Sequence, residues 1–208
     1  MPENRTAKGS RPGVTQQRRT ILDAAVQQFA ATGTGATSVA AICKVAGVSR
    51  DTFYRCYSNK NELIDTLYES AVSAPMLASV SAPGADYGDQ DWLRGAIDEV
   101  VDAILAQHQV AQFLFLESAD PSTHAHSVIH SAFEQVAGNM QRWCRKRYSA
   151  SPSRLCFMGL LSAAQWLVHG AINDGLKPAS VGSAKRAIKE LFLATFHGAQ
   201  MFDKTDTL

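Results

Sequence analysis

The twenty residues from Val39 to Ser58 restrict what this chain can fold into more than any other stretch. Apolar side chains fall at Val39, Ile42, Ala46, Val48, Phe53 and Cys56, with Gly47 between the two groups. A helix returns to the same face every three to four residues. The spacing therefore predicts two short helices closing one small core across a sharp bend. Gly47 supplies the bend, because a residue without Cβ adopts φ > 0 at little cost. Small Cys43 suits the point where the two helices cross most closely. This is the spacing of a helix-turn-helix.

The same pattern leaves Ser49, Arg50, Asp51, Thr52, Tyr54 and Arg55 on the outer face of the second short helix. That face is dense in hydrogen-bonding groups and starts at a helix N-terminus. It suits entry into a DNA major groove, where each base pair presents a distinct pattern of donors and acceptors. Arg50 is the candidate for guanine O6 and N7, with Asp51 and Thr52 as further base-edge candidates. Ser49 and Arg55 suit contacts that position the backbone. An ordinary solvated face is the alternative.

Charge distribution favours the polyanion. Net charge is only +1, but residues 1–60 hold nine Lys/Arg against three acids, and residues 61–208 hold eleven against sixteen. A basic first quarter joined to an acidic remainder implies two surfaces with different tasks.

Helical periods recur along the whole chain, and no segment sustains β alternation. Residues 1–14 read as a flexible basic arm. From Thr15 a stripe of Leu22, Ala25, Val26 and Phe29 leads to a stop at Gly33, with "TGTGAT" as a turn. The Gly33-x-Gly35 pair lacks the rest of a phosphate-binding loop. Thr37 or Ser38 can cap the next helix and Ser49 the one after it. Asn59-x-x-Glu62 resembles a capping box opening a helix through about Leu77. Further helices are expected over about 90–107, 109–118, 122–148, 153–174 and 181–200, with a frayed tail from Asp203. Ile129, Phe133, Val136, Met140 and Trp143 form one apolar stripe. The expectation is an all-α chain: arm 1–14, helix-turn-helix domain 15–62, helical domain 63–208.

No run approaches 18 apolar residues and no apolar leader opens the chain, so a cytoplasmic protein with no membrane span is expected. The cysteines at 43, 56, 144 and 156 match no zinc spacing, and reduced thiols are expected. An oxidation-sensitive pair is the sharper alternative for Cys43 and Cys56.

The segment "RRTILDAAVQQFAATGTGATSVAAICKVAGVSRDTFYRCYSNKNEL" resembles the N-terminal domain of the TetR family of bacterial transcriptional regulators. It carries the IL-AA---F---G, T-S-V--I and AGVS--TFY--Y patterns and the following K--L, over roughly residues 18–63. The resemblance implies a homodimer on a near-palindromic operator, with a C-terminal domain that dimerises and binds a small-molecule effector. It implies a phosphate contact for Thr37, a backbone contact for the hydroxyl of Tyr54, and a phosphate-facing ammonium for Lys60. Cys56 and Tyr57 stand where the family often has His and Phe, and Cys43 where Ala is usual.

The C-terminal two-thirds offers less. Trp92, Phe113, Phe115, Met140, Trp143, Phe157, Trp166 and Phe192 are candidates to line a ligand pocket or simply to fill a core. Trp166, His169 and Asn173 share a helical face and would add polar handles. The resemblance places the dimer interface on the last two helices, whose small residues permit close approach. His126 and His130 sit at i,i+4 and invite comparison with a metal pair, but His124 and its neighbours supply no complete ligand set. No cofactor is expected. No nucleophile motif, HExxH or phosphate loop is found, so an enzyme is not expected. The expected function is a sequence-specific DNA-binding regulator, a repressor relieved by an effector. A non-specific architectural DNA-binding protein, or a redox- or metal-responsive regulator, is the alternative.

Overall fold

The computed structural model describes residues 13–74, 79–81, 84–148 and 151–205. Nine α-helices and no strand occur among them. The chain divides into two compact units that meet in sequence between Leu63 and Ile64. Residues 1–12 of the expected arm lie outside the described residues.

The first unit holds α1 (Val14–Ala36), α2 (Val39–Ala46), α3 (Arg50–Cys56) and the opening turn of α4 (Lys60–Tyr68). Its core is Ile21, Ala24, Ala25, Phe29, Ile42, Phe53 and Leu63, all buried. The buried stripe of α1 is rotated by one residue from expectation. Ile21 and Ala24 are inside, while Leu22 and Val26 are half-buried. The helix breaks where Gly33 predicted, at φ 79° and ψ 162°, but a further helical turn runs on to Ala36. That backbone conformation belongs almost exclusively to glycine.

Ser38, not Thr37, caps α2, accepting from the N–H of Ala41 at 3.1 Å. Gly47 closes α2 in the left-handed conformation (φ 64°, ψ 30°), and the N–H of Val48 donates to the Cys43 carbonyl. These bonds satisfy carbonyls that a helix end leaves open. Asn59 caps α4 by accepting from the N–H of Glu62 at 2.9 Å. The return bond of the expected box goes one residue further back. The Glu62 carboxylate accepts from both the N–H and the hydroxyl of Ser58.

The second unit continues α4. Its α-helical register ends at Tyr68, and Glu69–Ser73 form a π-helical turn. Residues 75–78, over which the helix was expected to continue, lie outside the described residues. Then come α5 (Gln90–Ala106), α6 (His108–Glu117), α7 (His124–Arg147), α8 (Arg154–Asn173) and α9 (Pro178–Thr205). Asp89, Thr123 and Ser153 cap α5, α7 and α8 through their side-chain oxygens. Helix α9 starts three residues earlier than expected, because Pro178 at its first position has no N–H to leave unsatisfied. It also runs past Asp203 to Thr205. Helix α8 packs against α6, α7 and α9. Lys185 and Lys189 of α9 bridge to Asp102 and Asp98 of α5, each at 2.6 Å.

One helix bears on the expectation that no membrane span is present. Helix α8 is long and apolar enough to span a membrane by length and composition, with mean hydropathy 1.5 over its best window. Ser162, Gln165 and His169 interrupt that window, so it contains no unbroken apolar run. One side of the helix fills the core of the unit (Phe157, Leu161, Val168), while the other exposes Leu155 and Trp166. An all-round apolar composition thus serves two different surfaces.

Candidate nucleic-acid interface and an apolar cavity

Helices α2 and α3 meet over Ile42, Cys43, Phe53 and Cys56, which are all buried. Phe53 has no exposed surface, so it fixes the rotation of α3 about its own axis. Ala46 and Val48 are half-buried at the margin of this core. Tyr57 seals the far end at 1 % exposure. Its hydroxyl donates to the Arg18 carbonyl at 3.3 Å, and the Arg18 guanidinium lies 4.2 Å over its ring. A second bond from Arg18 reaches the Cys56 carbonyl. Burial pushes the Tyr57 phenol up, with the Arg18 charge opposing it.

With Phe53 and Cys56 inward, Arg50, Asp51, Tyr54 and Arg55 are exposed and Thr52 is half-exposed. Ser49 caps α3, accepting from the N–H of Thr52 at 3.1 Å, with the two hydroxyls 3.0 Å apart. Ser49 is thereby engaged in holding the first turn. Tyr54 is 54 % exposed and meets Phe53 edge-on at 5.4 Å between centroids. Arg55 donates to Gln17 of α1 at 2.7 Å, which orients it while leaving it at the surface.

Two expected phosphate contacts are engaged differently. Thr37 is buried at 3 % exposure. Its hydroxyl donates to the Gly33 carbonyl at 2.7 Å and lies 2.8 Å from the Thr32 hydroxyl. That oxygen faces into the bend after α1 instead of outward. Lys60 donates to the carbonyls of Thr34 and Thr37 at 2.5 and 2.9 Å. Those carbonyls carry the negative end of the α1 terminus, so the ammonium binds there and clasps α4 to the α1–α2 bend. Nothing in the local spacing pointed to this clasp, because its partners lie 26 and 23 residues away.

Cys43 and Cys56 are both buried. Burial pushes the Cys43 thiol up, opposed by the Arg50 charge, and its sulfur lies 3.9 Å from the Ser49 carbonyl. A buried thiol held in its protonated form is a poor nucleophile. Cys156 is the exposed one, on α8.

The second unit holds an apolar cavity of about 60 Å³, partly open to its surroundings. Val72 of the π-helical turn, Val100 and Ile104 of α5, Phe115 of α6, Phe133 of α7, Leu161 of α8 and Phe192 of α9 are among the side chains around it. Phe115 and Phe192 were expected at such a site. Of the other ligand candidates expected from the sequence, Trp92, Phe113, Met140, Trp143, Trp166, His169 and Asn173, none is among the residues lining this cavity. Trp92 and Trp143 instead pack edge-on against Tyr87, at 5.6 and 5.4 Å. Trp143 also lies so close to Gly88 that a Cβ there would meet its ring at 3.2 Å. Met140 is fully buried and Phe113 nearly so, on other faces of the core. Trp166 is 73 % exposed, and the His169 and Asn173 side chains bond each other at 3.3 Å on that outer side of α8. The inward face of α8 is Leu161, Ala164, Gln165 and Val168. Trp166 follows Gln165 by one residue, and that single step turns a helical side chain by about 100°.

The histidines of α7 do not converge. His124 meets Asp65 of α4 at 2.8 Å, while His126 bonds the Ser118 carbonyl at 2.7 Å and stacks on His130. Among the described residues no group of three or more His, Cys, Asp or Glu could hold a metal ion.

Residues 21–67 match the model of the bacterial regulatory proteins of the tetR family. Solved structures share the fold over most of the chain. A TetR-like transcriptional regulator from Rhodococcus sp. RHA1 superposes with a TM-score of 0.64 at 21 % identity, over 91 % of this chain and all of that one. Salmonella enterica GusR gives 0.62 at 18 % identity, covering 89 % and 98 %. FadR from Bacillus subtilis, solved in complex with stearoyl-CoA, gives 0.65 at 19 % identity, covering 85 % and 97 %. Over residues 21–67 the N-terminal unit is thus similar to the tetR family of bacterial regulatory proteins.

Proposed function

We propose that this chain is a homodimeric transcriptional repressor that reads a near-palindromic DNA operator and is released from it by a small-molecule effector. The outward face of α3 carries this reading. Arg50, Asp51, Tyr54 and Arg55 stand in solvent, with Thr52 half-exposed beside them, over a core that fixes their direction. Arg50, Asp51 and Thr52 would read base edges, while Ser49, Tyr54 and Arg55 would hold the phosphate backbone. Thr37 and Lys60 would act mainly by shaping the bend that presents α2 and α3, with the remaining N–H of the Lys60 ammonium available to phosphate.

Dimerisation is supported by α8. Leu155, Gly159, Ser162, Trp166 and Gly170 recur at helical spacing, and all five are exposed. A stripe this apolar suits burial against a second copy. Paired recognition helices about 34–36 Å apart would meet successive major grooves.

Effector control is supported by the cavity, whose wall includes Val72 in the continuation of α4. The fold neighbour solved with stearoyl-CoA supports ligand binding by this architecture in general terms. A ligand favouring another spacing of the recognition helices would lower operator affinity by population shift.

The test is selection of bound sequences from random DNA by the full chain, followed by binding measurements with candidate ligands. An enriched palindrome whose complex dissociates on adding ligand is the expected result. Equal affinity for selected and random DNA would overturn the reading in favour of non-specific coating.

A further inference from the structure

We infer that the effector is a small, uncharged, largely apolar molecule bearing a single neutral hydrogen-bonding group, a hydroxyl or carbonyl, that is held by Gln165. This rests on the proposal that the chain responds to a ligand in its second unit.

Among the described residues, every side chain around the cavity is apolar except that of Gln165, and no Lys, Arg, His, Asp or Glu lines it. A carboxylate or phosphate placed there would lose its hydration with no counter-charge to replace it, an unfavourable exchange. A neutral molecule loses little. Its apolar part gains contacts with Val100, Ile104 and Phe133, which water inside the cavity would not provide.

The state of Gln165 can be worked out from its neighbours. The Ser118 hydroxyl donates its only proton to the Phe115 carbonyl at 2.8 Å. It must therefore accept, not donate, in its 2.8 Å bond with the Gln165 amide nitrogen. This orients the amide and uses one of its two N–H groups. The second N–H and the carbonyl oxygen of Gln165 make no hydrogen bond among the described residues. A ligand hydroxyl can donate to that oxygen, and a ligand carbonyl can accept from that N–H. The chain is braced from behind, since the Ser118 carbonyl bonds His126 on α7. Such a preset polar point in an apolar wall is how small-molecule sites fix orientation.

Size narrows the class further. A cavity of about 60 Å³ holds roughly four to six water-sized groups. A compound of about four to six non-hydrogen atoms fits without rearrangement. A long acyl chain or a nucleotide-bearing thioester does not, although a fold neighbour binds stearoyl-CoA.

The experiment compares cyclopentanol, cyclopentanecarboxylate and stearoyl-CoA as probes of the full chain, by ligand-observed NMR and by shift of Tm. The expected result is saturable binding of cyclopentanol, with cyclopentanecarboxylate at least tenfold weaker and stearoyl-CoA not bound. Gln165→Leu should weaken cyclopentanol about tenfold, the loss of one hydrogen bond, while leaving binding of benzene unchanged. Ala164→Leu, which fills the cavity from the same helix, should abolish binding of both. Helical content and Tm of each variant show that it has folded. Equal or tighter binding of the carboxylate or of stearoyl-CoA overturns the inference. So does failure of every probe to bind, or indifference of cyclopentanol to both substitutions. Binding of cyclopentanol as described, with no effect on a selected operator complex, would sustain the inference about the cavity and overturn effector release instead.

Discussion

Arg50 and Lys60 illustrate how two cations ten residues apart come to differ in role. Arg50 projects from the first turn of α3 into solvent. Arg50→Ala should lower operator affinity by about 1–3 kcal/mol and relax preference at one base pair. Fluorescence anisotropy on operator and random duplexes checks this; equal loss on both would exclude base reading. Lys60 is occupied by the Thr34 and Thr37 carbonyls. Lys60→Ala should weaken every duplex by the same factor and also lower Tm, a coupling that a pure phosphate contact would not produce. Glu62 adds a pH dependence. Hydrogen bonds from the hydroxyl and N–H of Ser58 hold its carboxyl below the ordinary value of 4.5. Because the folded value is the lower one, its stabilisation is complete above about pH 4.5 and is lost as pH falls through the depressed value. In urea melts, Glu62→Gln should therefore be less stable than the parent at pH 7 and close to it near pH 3.

Helices differ in how far their own sequence determines them. The α2–α3 pair was legible because its determinants are local. Ser38 and Ser49 cap, Gly47 turns, and Phe53 and Cys56 fall on one face, all within twenty residues. Gly47→Ala should destabilise by about 1–2 kcal/mol from backbone conformation alone, since a Cβ there meets nothing within 4 Å. Gly47→Asn should cost less, because Asn tolerates the left-handed region; chemical denaturation ranks the two. Helix α8 was not legible in the same way. It is apolar on nearly every side, so periodicity cannot say which face is inward, and Trp166, one candidate among several for a pocket or the core, lies 73 % exposed. The cavity escaped for a related reason. Its wall gathers residues from Val72 to Phe192, and their convergence is a property of packing, not of any one segment. The π-helical turn after Tyr68 has no sequence signal either, yet it brings Val72 to that wall.

For the whole molecule, the two units are joined through α4, which begins with the Lys60 clasp in the first and runs into the second. A dimer formed over α8 makes Trp166 its most informative residue. Trp166→Glu should shift sedimentation from dimer to monomer and reduce operator affinity far more than affinity for a single half-site. A monomeric parent chain would remove that interface from consideration.

The smallness of the cavity sets a limit on signalling. Very small ligands yield at most about 1.5 kcal/mol per non-hydrogen atom, so five atoms supply roughly 7 kcal/mol in total. Converting a population from 99:1 to 1:99 takes a differential of about 5.5 kcal/mol. A ligand that fits about 60 Å³ would have to spend most of its affinity on discriminating between two states. A protein held 99:1 in the DNA-bound arrangement would then show an apparent affinity about a hundredfold weaker than the intrinsic one. Such a regulator would answer an abundant effector and ignore traces of it.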